Sequence, residues 1–158
     1  MRKIIGFHNP EENYGFLSNW YMSDFICGGI SYSSMEQYMM HQKALLFGDQ
    51  EIAEQILDAD QPGKVKALGR SVRKYVDSVW AGRRQIIVYR GLIEKFRQNP
   101  KLREDLLATG DAILAECAVR DRIWGIGLSM QDERRFRMEE WQGMNLLGYA
   151  LMEVRGEI

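Results

Sequence analysis

Cysteine and histidine are almost missing from this 158-residue chain, which has two of each: Cys27, Cys117, His8 and His41. Two cysteines build neither a disulfide scaffold nor a zinc framework, and they suit a reduced compartment. Two histidines so far apart offer no histidine-rich metal site. Proline is scarce and scattered, at Pro10, Pro62 and Pro100. No Pro/Gly/Ser-rich linker, internal repeat or low-complexity tract divides the chain, so residues 1–158 read as one domain, a length that buries a single core. No apolar run approaches the roughly 20 residues needed to span a bilayer. The first residues turn polar too soon after Ile4-Ile5 to read as a secretory leader. Net charge is lacking too: 21 basic and 22 acidic residues give −1, and with 46% hydrophobic residues the chain is not disordered. The expectation is a cytoplasmic protein with no membrane partner.

The small net charge conceals an uneven distribution. Residues 64–103 hold 12 basic residues and only the acids Asp77 and Glu94, a +10 middle between flanks of −11. Such asymmetry points either to an anionic ligand or to acid–base pairing between segments.

Short elements follow from patterning. Lys3 to Phe7 is a strand. Phe25-Ile26 and Ile30-Ser31-Tyr32 flank Cys27-Gly28-Gly29 as a hairpin. Ser33-Ser34-Met35-Glu36 carries a capping-box pattern and opens a helix to about Phe47. Ile52, Ala53, Ile56 and Leu57 place a second helix over 49–58, and Pro62 opens a third that holds Val65 and Leu68 inward. A long helix from near Val79 carries the stripe Ile86, Tyr89, Ile93 and Phe96, with Leu92 beside it, and stops at Asn99-Pro100. Leu102, Leu106 and Leu107 mark a short helix. Ala112 to Glu116 is a strand, and a last helix begins at Asn145 with Leu146, Leu147, Ala150 and Leu151 inward. The class is α+β: mainly helical, with a few short strands.

Three stretches hold residues with chemistry. On the helix opened by Ser33-Ser34, positions 36, 40 and 43 share a face. Glu36 is therefore either the capping-box carboxylate or one of an acid–amine pair with Lys43, itself either a surface lysine or a candidate for acid–base or Schiff-base chemistry at a sugar carbon. Glu116 to Gly127 follows a strand end and offers carboxylates, Trp124 and two glycines. Trp124 beside Gly125 makes a flat platform for a base or sugar, and a nearby carboxylate stabilises positive charge on a ribosyl carbon as its bond to nitrogen breaks. The plainer alternative is a buried Trp with Asp121 capping a turn. Gly125-x-Gly127 lacks the third glycine of a phosphate loop, and Cys117 reads as core. In the third stretch Asn145 is a helix N-cap. Gly148, which costs about 1 kcal/mol inside a helix, permits close backbone packing.

Together these stretches resemble the NADAR superfamily, the YbiA-like proteins. The resemblance rests on Phe16-Leu17-Ser18-Asn19, Tyr32 to Tyr38, Gln42-Lys43-Ala44, Leu68-Gly69-Arg70, Trp80 and Lys95 to Asn99. It continues through Leu106 to Gly110, Glu116, Asp121, Trp124-Gly125, Asn145 to Gly148 and Leu151 to Arg155, in the family's order. It implies the YbiA-like α+β fold and an N-glycosidase acting on a ribosyl group attached to a base nitrogen, with no cofactor and no metal. The substrate is then a phosphoribosylated intermediate of riboflavin biosynthesis or ADP-ribosylated guanine, with nucleic acid as carrier of the latter. A non-catalytic NAD or ADP-ribose-binding module is the alternative, and a DNA-docking role for the basic middle is another. By the resemblance Glu36, Asp121 and Lys43 are catalytic candidates, and Asn19, Arg70, Trp80, Trp124, Gly125 and Asn145 bind substrate.

Overall fold

The computed structural model describes residues 2–158. Its backbone contacts divide the chain into two units, one of residues 22–99, the other of residues 2–21 with 100–158.

The 22–99 unit opens with the antiparallel hairpin β2 (Met22–Cys27) and β3 (Ile30–Ser34), which places Phe25 opposite Tyr32. Gly28 and Gly29 turn it at φ of 60° and 78°, the left-handed pair that a two-residue hairpin loop needs and that glycine takes without strain. Helix α1 (Met35–Leu46) starts one residue later than the capping pattern implies. Ser34 is the N-cap, its hydroxyl accepting the Gln37 N–H at 3.1 Å, while Gln37 Oε1 takes the Ser33 N–H at 2.8 Å. The box therefore uses Gln37, and Glu36 is outside it. The reason is chemical, because an amide both accepts and donates. Gln37 Nε2 also donates to the carbonyls of Ile56 and Ala59, at 3.1 and 2.9 Å. These lie at the C-terminal end of α2 (Gln50–Leu57), where helix carbonyls lack intrahelical partners.

Helices α3 (Pro62–Arg70) and α4 (Asp77–Gln98) follow. On α4 the expected stripe holds at Leu92, Ile93 and Phe96, which are buried, but not in its N-terminal half. Ile86 is 44% exposed and Tyr89 half-buried, whereas Val88, Leu92 and Phe96 are fully buried. Tyr38 of α1 sets this rotation. Its ring lies where a Cβ on Gly91 would be, and its hydroxyl donates to the Ile87 carbonyl at 2.7 Å. The unit's aromatic centre is Phe25, Tyr32 and Tyr38, with centroids 5.2–5.9 Å apart. Burial pushes the Tyr32 hydroxyl up to about 12. It is hydrogen-bonded to His41 Nδ1 at 2.7 Å and accepts from Gln42 at 3.1 Å.

In the other unit β1 (Ile4–Phe7) pairs in parallel with β4 (Ile113–Glu116), Ile4 beside Ile113 and Phe7 beside Glu116. Helix α5 (Pro100–Leu107), the expected short helix, buries Leu102 and Leu106 and leaves Leu107 41% exposed. Helix α6 (Leu146–Glu157) packs on β4. The segment before it carries short 3-10 turns at Glu133–Phe136 and Met138–Glu140. The α+β class expected from the sequence is the class observed. Among the described residues no helix is long and apolar enough to cross a membrane.

At Gly148 the expected close approach is present: a Cβ there would strike the Leu114 carbonyl oxygen and the Asn145 amide. Alanine gains about 1 kcal/mol in helix propensity, yet overpacking costs typically 1–3 kcal/mol. Gly148→Ala therefore lowers the urea midpoint. A midpoint at or above that of the parent protein contradicts this packing.

Candidate functional site

In the 22–99 unit the candidates gather around α1. Glu36 is the second residue of the helix and 5% exposed. There the positive end of the helix dipole favours a carboxylate. Two turns on, Lys43 Nζ donates to the Gly69 carbonyl at 2.9 Å and lies 4.6 Å from the Tyr75 ring centroid. Burial pushes the Lys43 amine down, the Glu36 charge opposes that, and Arg70 adds to it. Glu36 and Arg70 thus both act on Lys43, as the shared helix face predicts for Glu36. Trp80, on the first turn of α4, is 6% exposed. Tyr75 and the Gly69 carbonyl escaped the sequence reading, since nothing in Arg73-Lys74-Tyr75-Val76 marks an aromatic wall.

In the other unit Glu116, the 121–125 loop and Asn145 sit at the C-terminal ends of the parallel strands, where side chains and loops of open α/β arrangements are presented. Glu116 ends β4. Its N–H donates to Asn145 Oδ1 at 3.0 Å, and Asn145 Nδ2 donates to the Leu114 carbonyl at 2.9 Å. One side-chain amide thereby occupies the place of a neighbouring strand. Asn145 stands at the start of α6, as expected, but its side chain caps nothing; it is left-handed, with φ 52° and ψ 39°. The first-turn amides are satisfied by the site loop instead. Those of Asn145, Leu146 and Leu147 donate to the carbonyls of Gly125, Ile123 and Trp124 at 3.0, 3.1 and 3.2 Å.

The same loop is tied at its other end. Ile126 N–H donates to the Glu116 carbonyl at 2.8 Å. Asp121 Oδ1 accepts the N–H groups of Ile123 and Trp124 at 3.0 and 2.9 Å, the turn-capping role foreseen as the plainer alternative. A Cβ on Gly125 would meet the carbonyl oxygens of Asp121 and Glu116, each at 2.9 Å, so the loop's own packing requires glycine there. Trp124 is left half-buried. Asn19 is 7% exposed, and its Oδ1 is buried without a hydrogen-bond partner among the described residues.

One pair at these strand ends was not foreseen. His8, the residue after β1, places Nδ1 3.0 Å from Glu116 Oε1, with the His8 side chain 54% exposed and that of Glu116 11%. Burial raises the Glu116 carboxyl, the His8 hydrogen bond and charge oppose that, and Asp121 adds to it. No local pattern joins residues so distant in sequence; only the strand register does. Cys117 is 1% exposed and pushed up to about 11 by burial, a core thiol as expected.

The basic middle is partly spent internally. Arg73 forms an ion pair with Asp49 at 2.7 Å, and Lys101 with Asp105 at 2.9 Å. Lys95 is fully buried and pushed down to about 7 by burial. Arg90 and Arg97, with Cys27, Tyr89, Ile93 and Glu94, line an open groove of about 390 Å³ that holds none of the predicted site residues. Among the described residues no three His, Cys, Asp or Glu side chains gather as a metal ion would require.

Comparison with known proteins bears on these observations. Residues 6–158 match the model of the NADAR domain. An N-glycosidase of Acanthamoeba polyphaga mimivirus is 38% identical over 163 residues, covering 98% of this chain and 96% of that protein. The N-glycosidase YbiA of Escherichia coli is 30% identical over 155 residues, covering 98% of this chain and 88% of its own. The NMR structure of Escherichia coli YbiA superposes with a TM-score of 0.81, covering 99% of this chain and 85% of that one. A riboflavin biosynthesis protein of Vibrio vulnificus is 34% identical over 158 residues, all of this chain but 39% of that protein.

Asn145 is the strut of the strand-end loop, so Asn145→Ala leaves the Glu116 N–H and the Leu114 carbonyl buried and unpartnered, at about 1–3 kcal/mol each. Urea unfolding should show a loss on the order of 2–5 kcal/mol. A loss below about 0.5 kcal/mol, the range of ordinary surface substitutions, contradicts the strut.

Proposed function

The chain belongs to the NADAR domain family, and from that premise we propose that it is an N-glycosidase that hydrolyses the bond between a phosphorylated ribosyl group and a base nitrogen in a riboflavin-pathway intermediate. The observation that carries this reading is a buried carboxylate and a half-buried amine on one helix, Glu36 and Lys43, the amine held to the Gly69 carbonyl at 2.9 Å. The near full-length relatives named N-glycosidase support the reaction, and the relative named for riboflavin biosynthesis supports the substrate. ADP-ribosylated guanine carries the same ribosyl–nitrogen bond and is the competing substrate.

Breaking that bond requires a proton for the leaving base, stabilisation of an oxocarbenium-like carbon, and a positioned water or a protein nucleophile. One of Glu36 and Asp121 orients the water or moves its proton, and the other stabilises the carbon. Arg70 takes the phosphate, as the residue type best suited to oxyanion recognition. Trp80 and Trp124 shape the space for base and sugar, and Asn19 offers its buried Oδ1. Lys43 has a second route. With its amine pushed down by burial, it is a nucleophile toward the ring-opened sugar, forming an imine that water then releases.

Glu36→Gln keeps the shape of the side chain and removes its charge. It should reduce kcat by about 100-fold or more, the usual contribution of a positioned acid or base. Retention of full activity removes Glu36 from the chemistry. Borohydride added during turnover should leave a sugar adduct on Lys43 if the imine route operates; an unmodified Lys43 assigns the reaction to water attack.

A further inference from the structure

The ring of His8 and the carboxyl of Glu116 have no part in the reaction described so far, yet they stand at the strand ends beside the Asp121–Gly125 loop. His8 follows Phe7, whose carbonyl accepts the Cys117 N–H at 2.8 Å, so β1 and β4 fix the histidine next to the glutamate. Glu116 is held on three sides. Asn145 binds its N–H, Ile126 binds its carbonyl, and His8 Nδ1 meets Oε1 at 3.0 Å. Its other carboxyl oxygen, Oε2, is buried with no hydrogen-bond partner among the described residues.

A carboxylate so withdrawn from water is costly unless a charge-assisted hydrogen bond compensates it. The imidazole supplies that bond, and an imidazolium supplies it best. A buried carboxylate bonded to Nδ1 fixes the ring's orientation, the arrangement of a histidine acid–base pair. Arg135, the other cation near β4, acts on Cys117 rather than on Glu116.

We propose that His8 is the proton donor to the leaving base in the glycosidase reaction, with Glu116 the buried positioning residue that holds its ring and favours its charged form. This inference rests on the N-glycosidase reading. The carbon–nitrogen bond breaks with its electron pair kept by the base nitrogen, and the proton on His8 Nε2 passes to that nitrogen. The water that adds to the ribosyl carbon loses one proton, which restores the imidazolium. One water is consumed and no oxidant or reductant is needed.

Besides His8, Glu116 meets Asp121 from the loop, whose charge acts on it. Cys117, with Arg135 near it, is the next group along the strand. From α6 the facing residue is the neutral Asn145. Glu116→Gln removes the negative partner, so the imidazolium is less favoured and is lost at lower pH.

The test is a set of pH profiles of kcat and kcat/KM for the parent protein, His8→Asn and Glu116→Gln, with base release followed by mass spectrometry and folding checked by thermal melts. Asparagine keeps an N–H close to the position of Nδ1 and removes the titrating nitrogen. His8→Asn should lower kcat about 100-fold or more with KM little changed, and should lose the alkaline limb of the profile. His8→Gly should regain activity with added imidazole. Glu116→Gln should move the alkaline limb to lower pH. Full activity and an unchanged alkaline limb in folded His8→Asn overturn the proton-donor role while leaving the glycosidase reading intact. An unmoved limb in folded Glu116→Gln overturns the role of Glu116. A parent protein that releases no base overturns both the reading and this role.

Discussion

Two hydrogen bonds from one buried amide hold the strand-end loop in shape. Asn145 donates to the Leu114 carbonyl and accepts the Glu116 N–H. Because β4 pairs with β1 in a two-stranded sheet, its opposite edge would otherwise present unpaired backbone groups to the core, and those groups must find partners. The amide satisfies the last of them and at the same time starts α6 in a left-handed conformation. Consequently the first-turn amides of α6 meet the carbonyls of residues 123–125, and the loop bearing Asp121, Trp124 and Gly125 is clamped from both ends. Gly148, one turn on, lets α6 approach the strand closely enough for this to occur.

In the 22–99 unit the corresponding constraint is Gln37. By taking both the N-terminal cap of α1 and the carbonyls at the end of α2, it leaves Glu36 as a buried carboxylate outside the capping box. The same helix carries Lys43 two turns later against Gly69 and Tyr75. Helix geometry sets the spacing between carboxylate and amine, and burial with neighbouring charge sets the amine's protonation. The basic middle is consumed less by ligand than its +10 charge implies, since Arg73 and Lys101 pair with acids and Lys95 is buried.

Much of this fold is legible from local pattern. The Gly28-Gly29 hairpin, Pro62 at the start of α3, the stop at Asn99-Pro100 and the close packing at Gly148 are determined by residues near one another. The features that were misread are those determined across the fold. A capping box shifted by one residue depends on the end of a different helix, and the rotation of α4 depends on where the Tyr38 ring lies. The short runs at Ile4 and Ile113 each read as strands, but their parallel pairing has no local signature, so the His8–Glu116 contact could not be read either. Trp124-Gly125 and Glu36 stood out by residue type and family resemblance. Asn145 stood out as well, though for a cap it does not make.

The central claim is that this chain turns over a ribosyl–nitrogen bond rather than merely holding a nucleotide. The most direct measurement is the stoichiometry of products formed by the purified parent protein from a phosphoribosylated aminopyrimidine, with ADP-ribosylated guanine alongside. The account predicts many equivalents of free base and sugar phosphate per protein chain from the aminopyrimidine, in equal amounts. Saturable binding of intact nucleotide with no free base from either substrate would contradict it.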